Sequence, residues 1–248
     1  MSGSARMPGP ERIKRYAVFL IGVFIMAGGV VFTVRSALGT TPLASFPFAL
    51  YSIFDRLSFG TATFLNCMLL LAAQLVLMRR DFDLKQFAQI PLAIFLGLFQ
   101  DVWGMLLGDW APETYLFKLI VLLVGCCLTA LGVGLQVTAN VVMDSATALT
   151  KDISDKFGFD FGKCKICVDW SFVVIAVIVD LAVLHTVVGV REGTVICAFP
   201  VGIIAGFLKK RFVPMNRFLM GRERYEAAYG NAPERADDIS QHSATKGG

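Results

Sequence analysis

The sequence predicts an all-α integral membrane protein: six transmembrane helices as a 3+3 inverted-topology repeat, with two short broken or re-entrant helices. Three observations predict this fold class: the composition, the placement of the basic residues and an internal similarity. Of the 248 residues, 56% are hydrophobic and 17% are charged, whereas soluble domains average about 45–50% and ~25%. The uncharged residues form long runs, which excludes a water-soluble enzyme with a separate catalytic domain.

Six segments are long and apolar enough to be transmembrane helices. A bilayer core of about 30 Å needs about 20 such residues, because every backbone polar group must be bonded within the helix. Another apolar segment, 43–54, is too short to cross, which is typical of a re-entrant, interfacial or buried helix. The six predicted spans are residues 16–38, 61–78, 87–107, 115–142, 166–188 and 193–208.

The basic residues predict that both termini are cytoplasmic. Lys and Arg gather before the first span, after the second and fourth spans, and after the sixth, while the other loops hold only Arg56 and Arg191. Since cytoplasmic loops carry the excess of basic residues, this alternation requires an even number of spans. The chain then divides into a cytoplasmic leader (1–14), a membrane domain (15–213) and a polar, mostly disordered cytoplasmic tail (214–248).

The two halves of the membrane domain resemble each other. A shift of 103 residues superposes the first span on the fourth, and small or polar residues coincide along one helix face. Because a unit of three spans is odd, the second unit, 114–213, must be inverted relative to the first, 15–110. The alternative is a chance likeness of glycine-rich helices. The matching positions and segments are Gly22 with Gly125, Gly29 with Gly132, 58–60 with 160–162, and 90–97 with 199–206.

Glycines on one face allow helix backbones to approach closely in lipid, where packing rather than hydrophobicity drives association. We therefore expect a tight central contact between the two units. Its predicted glycines are Gly22, Gly29, Gly125, Gly132, Gly97 and Gly206. The six cysteines lie in or at the ends of apolar segments and do not indicate a disulfide framework.

Each unit contains an interrupted helix. Thr41 as N-cap and Pro42 as first helical residue predict a break at Gly39 and a new helix from residue 42. Its counterpart, 140–145, leads into a more polar helix capped by Asp144 or Ser145. Helix-start N–H groups bind anionic or polar ligands, although two ordinary capped loops would look the same. Gln136 and Asn140 either line a cavity or bond neighbouring helices. The candidate solute-binding residues are Arg35, Thr40, Thr41, Gln136, Asn140, Asp144 and Ser145.

Three carboxylates lie inside predicted spans: Asp101, Asp169 and Asp180. A lone charge in lipid is costly, so such groups pair inward or line a wet cavity. Asp101 and Asp180 share the predicted depth of Arg35. Only one of them can be its close partner, which leaves the other as a candidate proton or cation site. Asp169 is either a second station on the same path or the i, i+4 ion-pair partner of Lys165.

No catalytic or metal-binding pattern is present in the sequence. Residues 164–167 have CxxC spacing but no second pair, and His185 and His242 are isolated. No nucleotide-binding or metalloprotease motif occurs. We therefore expect no enzyme activity, no cofactor, no metal and no nucleic-acid partner.

Four segments resemble the YczE/YyaS/YitT group of bacterial membrane proteins, and the YczE branch most, because the soluble C-terminal domain of YitT proteins is absent. The resemblance covers about residues 14–213. It implies a multi-pass protein of the bacterial inner (plasma) membrane, in a family without an established substrate. The segments are 35–42 (RSALGTTP), 58–60 (SFG), 192–194 (EGT) and 200–202 (PVG).

The leading hypothesis is a small secondary transporter or exporter of a small polar or anionic solute. The two interrupted corners, 39–42 and 140–145, would form a midplane site between the inverted units. Arg35 would balance the solute's charge there, and Asp180 or Asp101 would bind a coupling proton. The alternative is a non-transporting membrane scaffold or regulatory partner of a biosynthetic or export system, in which the polar residues satisfy one another without a cavity. The expected partners are the lipid bilayer and an unidentified solute, with a second copy of the chain as a candidate homodimer partner.

Overall fold

The computed structural model is α-helical throughout the residues that it describes, which are 9–54, 56–79, 84–108, 110–139, 141–159, 161–194 and 196–197. Seven α-helices lie within these ranges, and a 3-10 helix, Leu84–Ala88, precedes the fourth. The α-helices are α1 (Gly9–Arg35), α2 (Pro42–Ile53), α3 (Phe59–Met78), α4 (Gln89–Leu107), α5 (Tyr115–Ala139), α6 (Ser145–Phe157) and α7 (Phe161–Val183).

Five of the described helices are long and apolar enough to cross a membrane, so the chain is a multi-pass membrane protein. They correspond in order to the first five predicted spans, and α2 is the short apolar helix expected between the first two. Most of the predicted sixth span, 193–208, and the whole tail, 214–248, lie outside the described residues. The five spans are Glu11–Arg35, Phe59–Met78, Gln86–Leu107, Tyr115–Ala139 and Lys163–Val183.

The burial pattern is the reverse of that in a water-soluble bundle. Large apolar side chains face outward: Val76 is 69% exposed and Met105 is 79% exposed. Polar side chains are buried instead, among them Gln74 and Asn66. Water would make such an apolar surface costly, whereas hydrocarbon does not, and polar groups gain by facing protein partners. The outer surface of the bundle therefore fits lipid.

α1 and α5 run antiparallel with their backbones in contact. Gly22 lies against Gly132, and Gly29 lies against Gly125. A Cβ atom added to Gly29 would be 2.4 Å from the backbone nitrogen of Thr129, so no larger residue fits there. Close backbone approach of this kind replaces the missing hydrophobic driving force between helices in lipid.

α4 joins this central pair to α3. The Trp103 indole packs on Gly28, and its Nε1 donates to the Phe24 carbonyl at 3.1 Å. On the other side of α4, Gly97 lies directly against Gly60 of α3. Gly97 therefore serves the α3–α4 contact rather than the central one, and Gly206 lies outside the described residues.

The antiparallel pair has two ends, named here by the short helix that follows each. At the α6 end, where α1 starts, Arg15 Nη1 donates to the Ala139 carbonyl at 3.0 Å. At the α2 end, where α1 finishes, Leu38 packs with Leu122 of α5. A helix rises 1.5 Å per residue and these contacts involve Leu122 and Ala139 of α5, so the two ends are about 25 Å apart. The two interrupted corners therefore do not meet in one midplane site.

One pair of cysteines corrects the sequence-based expectation. Cys126 of α5 and Cys197 form a disulfide with their Cα atoms 5.9 Å apart, whereas the other four cysteines are free. The two partners are separated by 71 residues and meet only because the chain returns to α5 after α7. Cysteine spacing carries no signal for such a long-range pair.

Candidate functional site

The interruption after α1 is the first element of the candidate site. The Ser36 hydroxyl donates to the Thr33 carbonyl at 2.6 Å and accepts from the Leu38 N–H at 3.3 Å, which ends the helix. Gly39 has φ 124°, and a Cβ there would be 2.7 Å from the Thr194 hydroxyl oxygen. Only glycine fits both the dihedral and the space, which accounts for the predicted break at this residue.

The start of α2 is built differently from the prediction in one respect. Thr41 is the N-cap and Pro42 the first helical residue, as expected, but the Thr41 side chain makes no capping hydrogen bond. Instead, the Ser45 hydroxyl donates to the Thr41 carbonyl at 3.2 Å. The Thr40 and Ser45 hydroxyl oxygens also lie 3.2 Å apart. The threonine pair is thus held by the first turn of α2.

Residues 184–191, named here the covering loop, fold over the interruption. The backbone N–H of Thr40 donates to the Gly189 carbonyl at 3.1 Å, and its hydroxyl donates to the same oxygen at 3.3 Å. Just after the loop, the N–H of Gly193 donates to the Leu38 carbonyl at 2.8 Å. Two segments about 150 residues apart in the chain are therefore joined by hydrogen bonds between backbone groups.

A cavity of about 150 Å³ lies between the interruption and the covering loop. Thr40 and Arg191 contribute its polar side chains, while Val34, Phe48 and Val188 contribute its apolar ones. An apolar cavity of about this volume accommodates benzene, so the space suits a solute of about six heavy atoms.

Asp180 of α7 holds the covering loop from the side of the protein interior. The residue is fully buried, and its Oδ2 accepts the N–H groups of Val188 at 3.0 Å and Gly189 at 3.3 Å. Its Oδ1 is buried without a hydrogen-bond partner among the described residues. Since Gly189 also binds Thr40, a continuous chain of hydrogen bonds links this carboxylate to the interruption. An unsatisfied buried carboxylate oxygen is rare and typical of functional positions.

The structure forms neither of the two ion pairs considered for Arg35. This side chain is half-buried and lies within salt-bridge distance of neither Asp101 nor Asp180. α4 crosses α1 at Gly28, which is about 10 Å along the helix from Arg35. Asp101 is therefore held too far from the end of α1, while the Oδ2 of Asp180 is occupied by the covering loop.

Asp101 has a structural partner instead. Its Oδ2 accepts the Ser58 hydroxyl at 2.7 Å and its Oδ1 accepts the Gly60 N–H at 2.8 Å. Both donors belong to the start of α3, where a carboxylate is favoured by the helix dipole. Asp101 thus caps α3 from α4, with a hydrogen bond on each oxygen.

The second interrupted corner lies at the α6 end and is closed by side-chain amides. The Asp144 carboxylate caps α6 by accepting the Thr147 N–H at 3.0 Å, as predicted. Gln74 Nε2 donates to the Ser145 carbonyl at 2.9 Å. Gln74 and Gln89 also exchange two hydrogen bonds, at 3.3 Å and 3.0 Å. Both glutamines are buried, so this end is tied by a neutral and largely satisfied network.

A second contact at this end involves a carboxylate outside the spanning helices. Gln86 Nε2 donates to both oxygens of Asp152, at 3.2 Å and 3.1 Å. Burial raises the pKa of Asp152, while the hydrogen bond from Gln86 lowers it in part. Lys156 also donates to the Leu77 carbonyl. These bonds fasten α6 to α3 and to the 3-10 helix.

Two further predicted residues lie away from the cavity. Gln136 is buried between α5 and α1, where its Nε2 lies 3.2 Å from the Met26 sulfur. This position matches the interhelical alternative for the polar stripe rather than a cavity lining. Asn140 lies outside the described residues. Asp169 forms the i, i+4 ion pair with Lys165 that the sequence spacing favours.

Sequence reasoning missed Arg191 and the covering loop as parts of the site. Arg191 is the single basic residue of its predicted loop and directly precedes the EGT segment, 192–194. This position was the signal in the sequence that could have identified Arg191 as a site residue. The loop's contact with Thr40 could not be found in this way, because it joins distant parts of the chain.

The fold and the site define a class: a multi-pass α-helical membrane protein whose interrupted first helix lies under a loop tied to a buried carboxylate. The chain belongs to DUF6198, a family of unknown function whose model matches residues 13–210. No curated protein matches the chain. No solved structure matches it either. The likeness to the YczE group stays a prediction.

Proposed function

We propose that the chain is a small secondary transporter or exporter of a small polar or anionic solute, coupled to protons. The observation that carries this proposal is the cavity at the interruption of α1, linked by hydrogen bonds to the buried carboxylate of Asp180. Interrupted helices next to a buried ionisable group are the usual construction of solute and coupling-ion sites in secondary transporters.

The central helix contact supports the inverted repeat on which this proposal depends. The shift of 103 residues exchanges Gly22 with Gly125 and Gly29 with Gly132. If each glycine is replaced by its counterpart, the contact of Gly22 with Gly132 becomes the contact of Gly125 with Gly29. Both contacts occur. Paired contacts of this kind are expected from a pseudo-twofold axis that passes between α1 and α5.

The outer elements follow the same exchange. α2 contacts α7, and its counterpart α6 contacts α3. Likewise α2 contacts α3, and α6 contacts α7. The residues 192–194, 196 and 197 are helical and lie at the start of the predicted span 193–208. A sixth membrane helix there would complete the second unit and bring both termini to the cytoplasmic side.

The two ends differ in the way that alternating access requires. The α2 end has a cavity beside the covering loop, whereas the α6 end is closed by the Gln74–Gln89 pair and the Gln86–Asp152 contact. In inverted-repeat transporters the two ends exchange these arrangements as one unit rocks against the other. We infer that in this conformation the solute site faces the α2 end and is covered by the loop, and the predicted orientation places that end outside the cytoplasm.

Asp180 is a better coupling residue than Asp101. Both oxygens of Asp101 accept hydrogen bonds, whereas Asp180 has an oxygen without a described partner. A carboxylate is a stronger acceptor than a carboxylic acid. Protonation of Asp180 would weaken its bonds to Val188 and Gly189 and so loosen the covering loop. Proton binding and solute access would thus be linked through Gly189, whose N–H binds Asp180 and whose carbonyl binds Thr40.

Proteoliposomes with a pH-sensitive dye inside test the proposal without a labelled solute. A panel of small carboxylates, amides and amines is added outside, and proton movement is recorded for the wild type and for Asp180→Asn. We expect at least one solute to move protons with the wild type, and a loss of at least about tenfold for Asp180→Asn.

The matched control is Asp155→Asn, because Asp155 is an exposed carboxylate of α6 outside the site. This variant should transport like the wild type. Unchanged proton movement in Asp180→Asn would refute the coupling role. A folded wild type that moves none of the panel would refute the transporter proposal and favour the non-transporting scaffold.

A further inference from the structure

We infer that the solute is a short-chain carboxylate of about six heavy atoms, with its carboxylate on Arg191 and its alkyl chain against the apolar wall of the cavity. The inference rests on the proposed function and deepens it by naming the chemical class of the solute. Three features of the cavity carry it: the sign of its charge, the division of its lining and its volume.

The charge of the lining favours an anion. Arg191 is its charged side chain, and its described lining residues include no carboxylate. Asp180 lies behind the covering loop, where its Oδ2 accepts the N–H groups of Val188 and Gly189. The Arg191 Nη1 donates to the Ala37 carbonyl at 3.2 Å, and no carboxylate in the described ranges pairs with it. A guanidinium has five N–H donors in a rigid fork, so a second acceptor with two oxygens can still be bound.

Arg191 is also held in place by its surroundings. Its backbone N–H donates to the Thr194 hydroxyl at 3.4 Å, and its carbonyl accepts the Thr194 N–H at 2.9 Å. The bond to Ala37 attaches its side chain to the interruption of α1. A pre-positioned guanidinium loses less conformational entropy when it binds a carboxylate. Arg191, rather than the predicted Arg35, is therefore the cation of this site.

The remaining lining requires an apolar part in the solute. Val34, Phe48 and Val188 form a wall with no hydrogen-bonding side chain. Inorganic phosphate or sulfate would place hydrated oxygens against this wall without partners, which costs free energy. An alkyl chain gains by the same contact, because each buried CH₂ group removes apolar surface from water. An amphipathic anion thus fits better than an oxyanion that is polar on all sides.

The volume limits the chain length. A cavity of about 150 Å³ corresponds to a ligand the size of benzene, with about six heavy atoms. The carboxylate uses three of these atoms and leaves about three for the chain, as in butyrate. Acetate would leave part of the wall uncovered, and octanoate would exceed the space. We expect the affinity to be highest at three to five carbons.

The test measures binding of matched probes to the full chain in nanodiscs by titration calorimetry and by the shift of the unfolding midpoint. Butyrate, butyramide and pentylammonium each have six heavy atoms but differ in charge. We expect butyrate to bind, and the amide and the amine to bind at least about tenfold more weakly, because neither forms a charge-assisted hydrogen bond with the guanidinium. Acetate and octanoate extend the series in length.

Arg191→Gln should weaken butyrate binding by at least about tenfold, and Arg191→Lys, which keeps the charge, should retain part of it. Arg56→Gln is the matched control, since Arg56 is the other basic residue of the predicted outer loops and does not line the cavity. It should bind butyrate like the wild type. Partition of a probe into the nanodisc lipid is the same for all variants. A difference between variants therefore reports binding at the site.

Equal binding of all three matched probes, or unchanged butyrate binding in Arg191→Gln, would overturn the carboxylate inference. Failure of every probe to bind the wild type would overturn it as well. The proposed function fails separately, when the folded wild type moves no solute of the wider panel in proteoliposomes. If an amine or an amide, but no carboxylate, were transported in a way that depends on Asp180, the transporter proposal would stand and the carboxylate inference would be wrong.

Discussion

The α2 end and the α6 end are assembled from corresponding parts but are held together by different chemistry. At the α2 end, the covering loop is held by the carboxylate of Asp180 and by backbone groups, with Ala37 and Gly39 at positive φ. At the α6 end, the amides of Gln74 and Gln89 bind each other and the Ser145 carbonyl. The covering loop therefore depends on an ionisable group, whereas the Gln74–Gln89 pair does not.

Both ends also contain groups that lower local stability. An unsatisfied buried polar atom costs about 1–3 kcal/mol, and Asp180 Oδ1 is such an atom at the α2 end. A non-glycine residue at positive φ, such as Ala37, adds strain of about 1–3 kcal/mol. The α6 end carries comparable terms, because Gln86 Oε1 is also buried without a described partner and Arg79 is also at positive φ. We infer that the covering loop at the α2 end responds to protonation of Asp180, while the Gln74–Gln89 pair at the α6 end responds to packing.

Gly39→Ala should have the largest effect on the difference between the two ends. The added Cβ would approach the Thr194 hydroxyl oxygen to 2.7 Å and the Arg191 nitrogen to 3.1 Å, at φ 124°. Strain and overpacking together should cost more than about 2 kcal/mol at the α2 end. Transport should be lost, and hydrogen exchange should increase in the covering loop but not in α6.

Gly158→Ala is the matched control for this substitution. Gly158 ends α6 with φ 69°, but a Cβ there meets nothing within 4 Å. Only the dihedral penalty remains, about 1–2 kcal/mol, and transport should persist. If both variants lost transport equally, transport would not depend specifically on the contact between the interruption and the covering loop.

The local part of this comparison can be predicted from the sequence. Thr41-Pro42 and Asp144 mark the starts of α2 and α6, because capping chemistry involves residues within one turn of each other. The glycine face of α1 can be predicted too, because a helix displays its periodicity in the sequence. These signals are enough for five of the membrane helices, for both short helices and for the place of the interruption.

The partners across the structure cannot be predicted in the same way. Thr40 meets Gly189 and Cys126 meets Cys197 only after the chain has folded, and nothing in their spacing specifies either contact. Arg35 is the clearest case: predicted depth places it level with Asp101, but the crossing of α4 at Gly28 offsets the two helices. The position of a residue along its span predicts its depth in the membrane but not the residues that it contacts.

An intermediate effect is expected at the α6 end from Gln74→Leu. The substitution leaves Gln89 and the Ser145 carbonyl without their partner in a buried place, which should cost about 1–3 kcal/mol. The midpoint of chemical unfolding in nanodiscs measures this loss. Replacing both glutamines by leucine removes both amides together, so the double variant should lose less than the sum of the two single variants.

Additive losses in this cycle would show that the two amides do not act as a pair. The butyrate-binding assay then separates the two ends. Gln74→Leu should weaken closure at the α6 end and leave butyrate binding at the α2 end within about threefold of the wild type. A loss of binding as large as in Arg191→Gln would contradict the independence of the two ends.

The smallest effect concerns pH and the contact between Gln86 and Asp152. Burial raises the pKa of Asp152 in the folded chain above its value in the unfolded chain, so the folded state binds the proton more tightly. Stability from this group is therefore highest below the ordinary aspartate pKa of about 3.9 and falls as the pH rises through the raised value. Asp152→Asn should stabilise the protein at neutral pH, and this gain should vanish in acid.

Unfolding midpoints of both proteins, measured from pH 3.5 to 8, test this expectation. Glu113→Gln is the comparison, because Glu113 is an exposed carboxylate just before α5, at the opposite end from α6, and its removal should leave the difference from the wild type flat over the same range. A gain for Asp152→Asn that grew as the pH fell would reverse the sign of the linkage. The hydrogen bonds from Gln86 would then outweigh burial, and the α6 end, like the α2 end, would depend on a charged carboxylate.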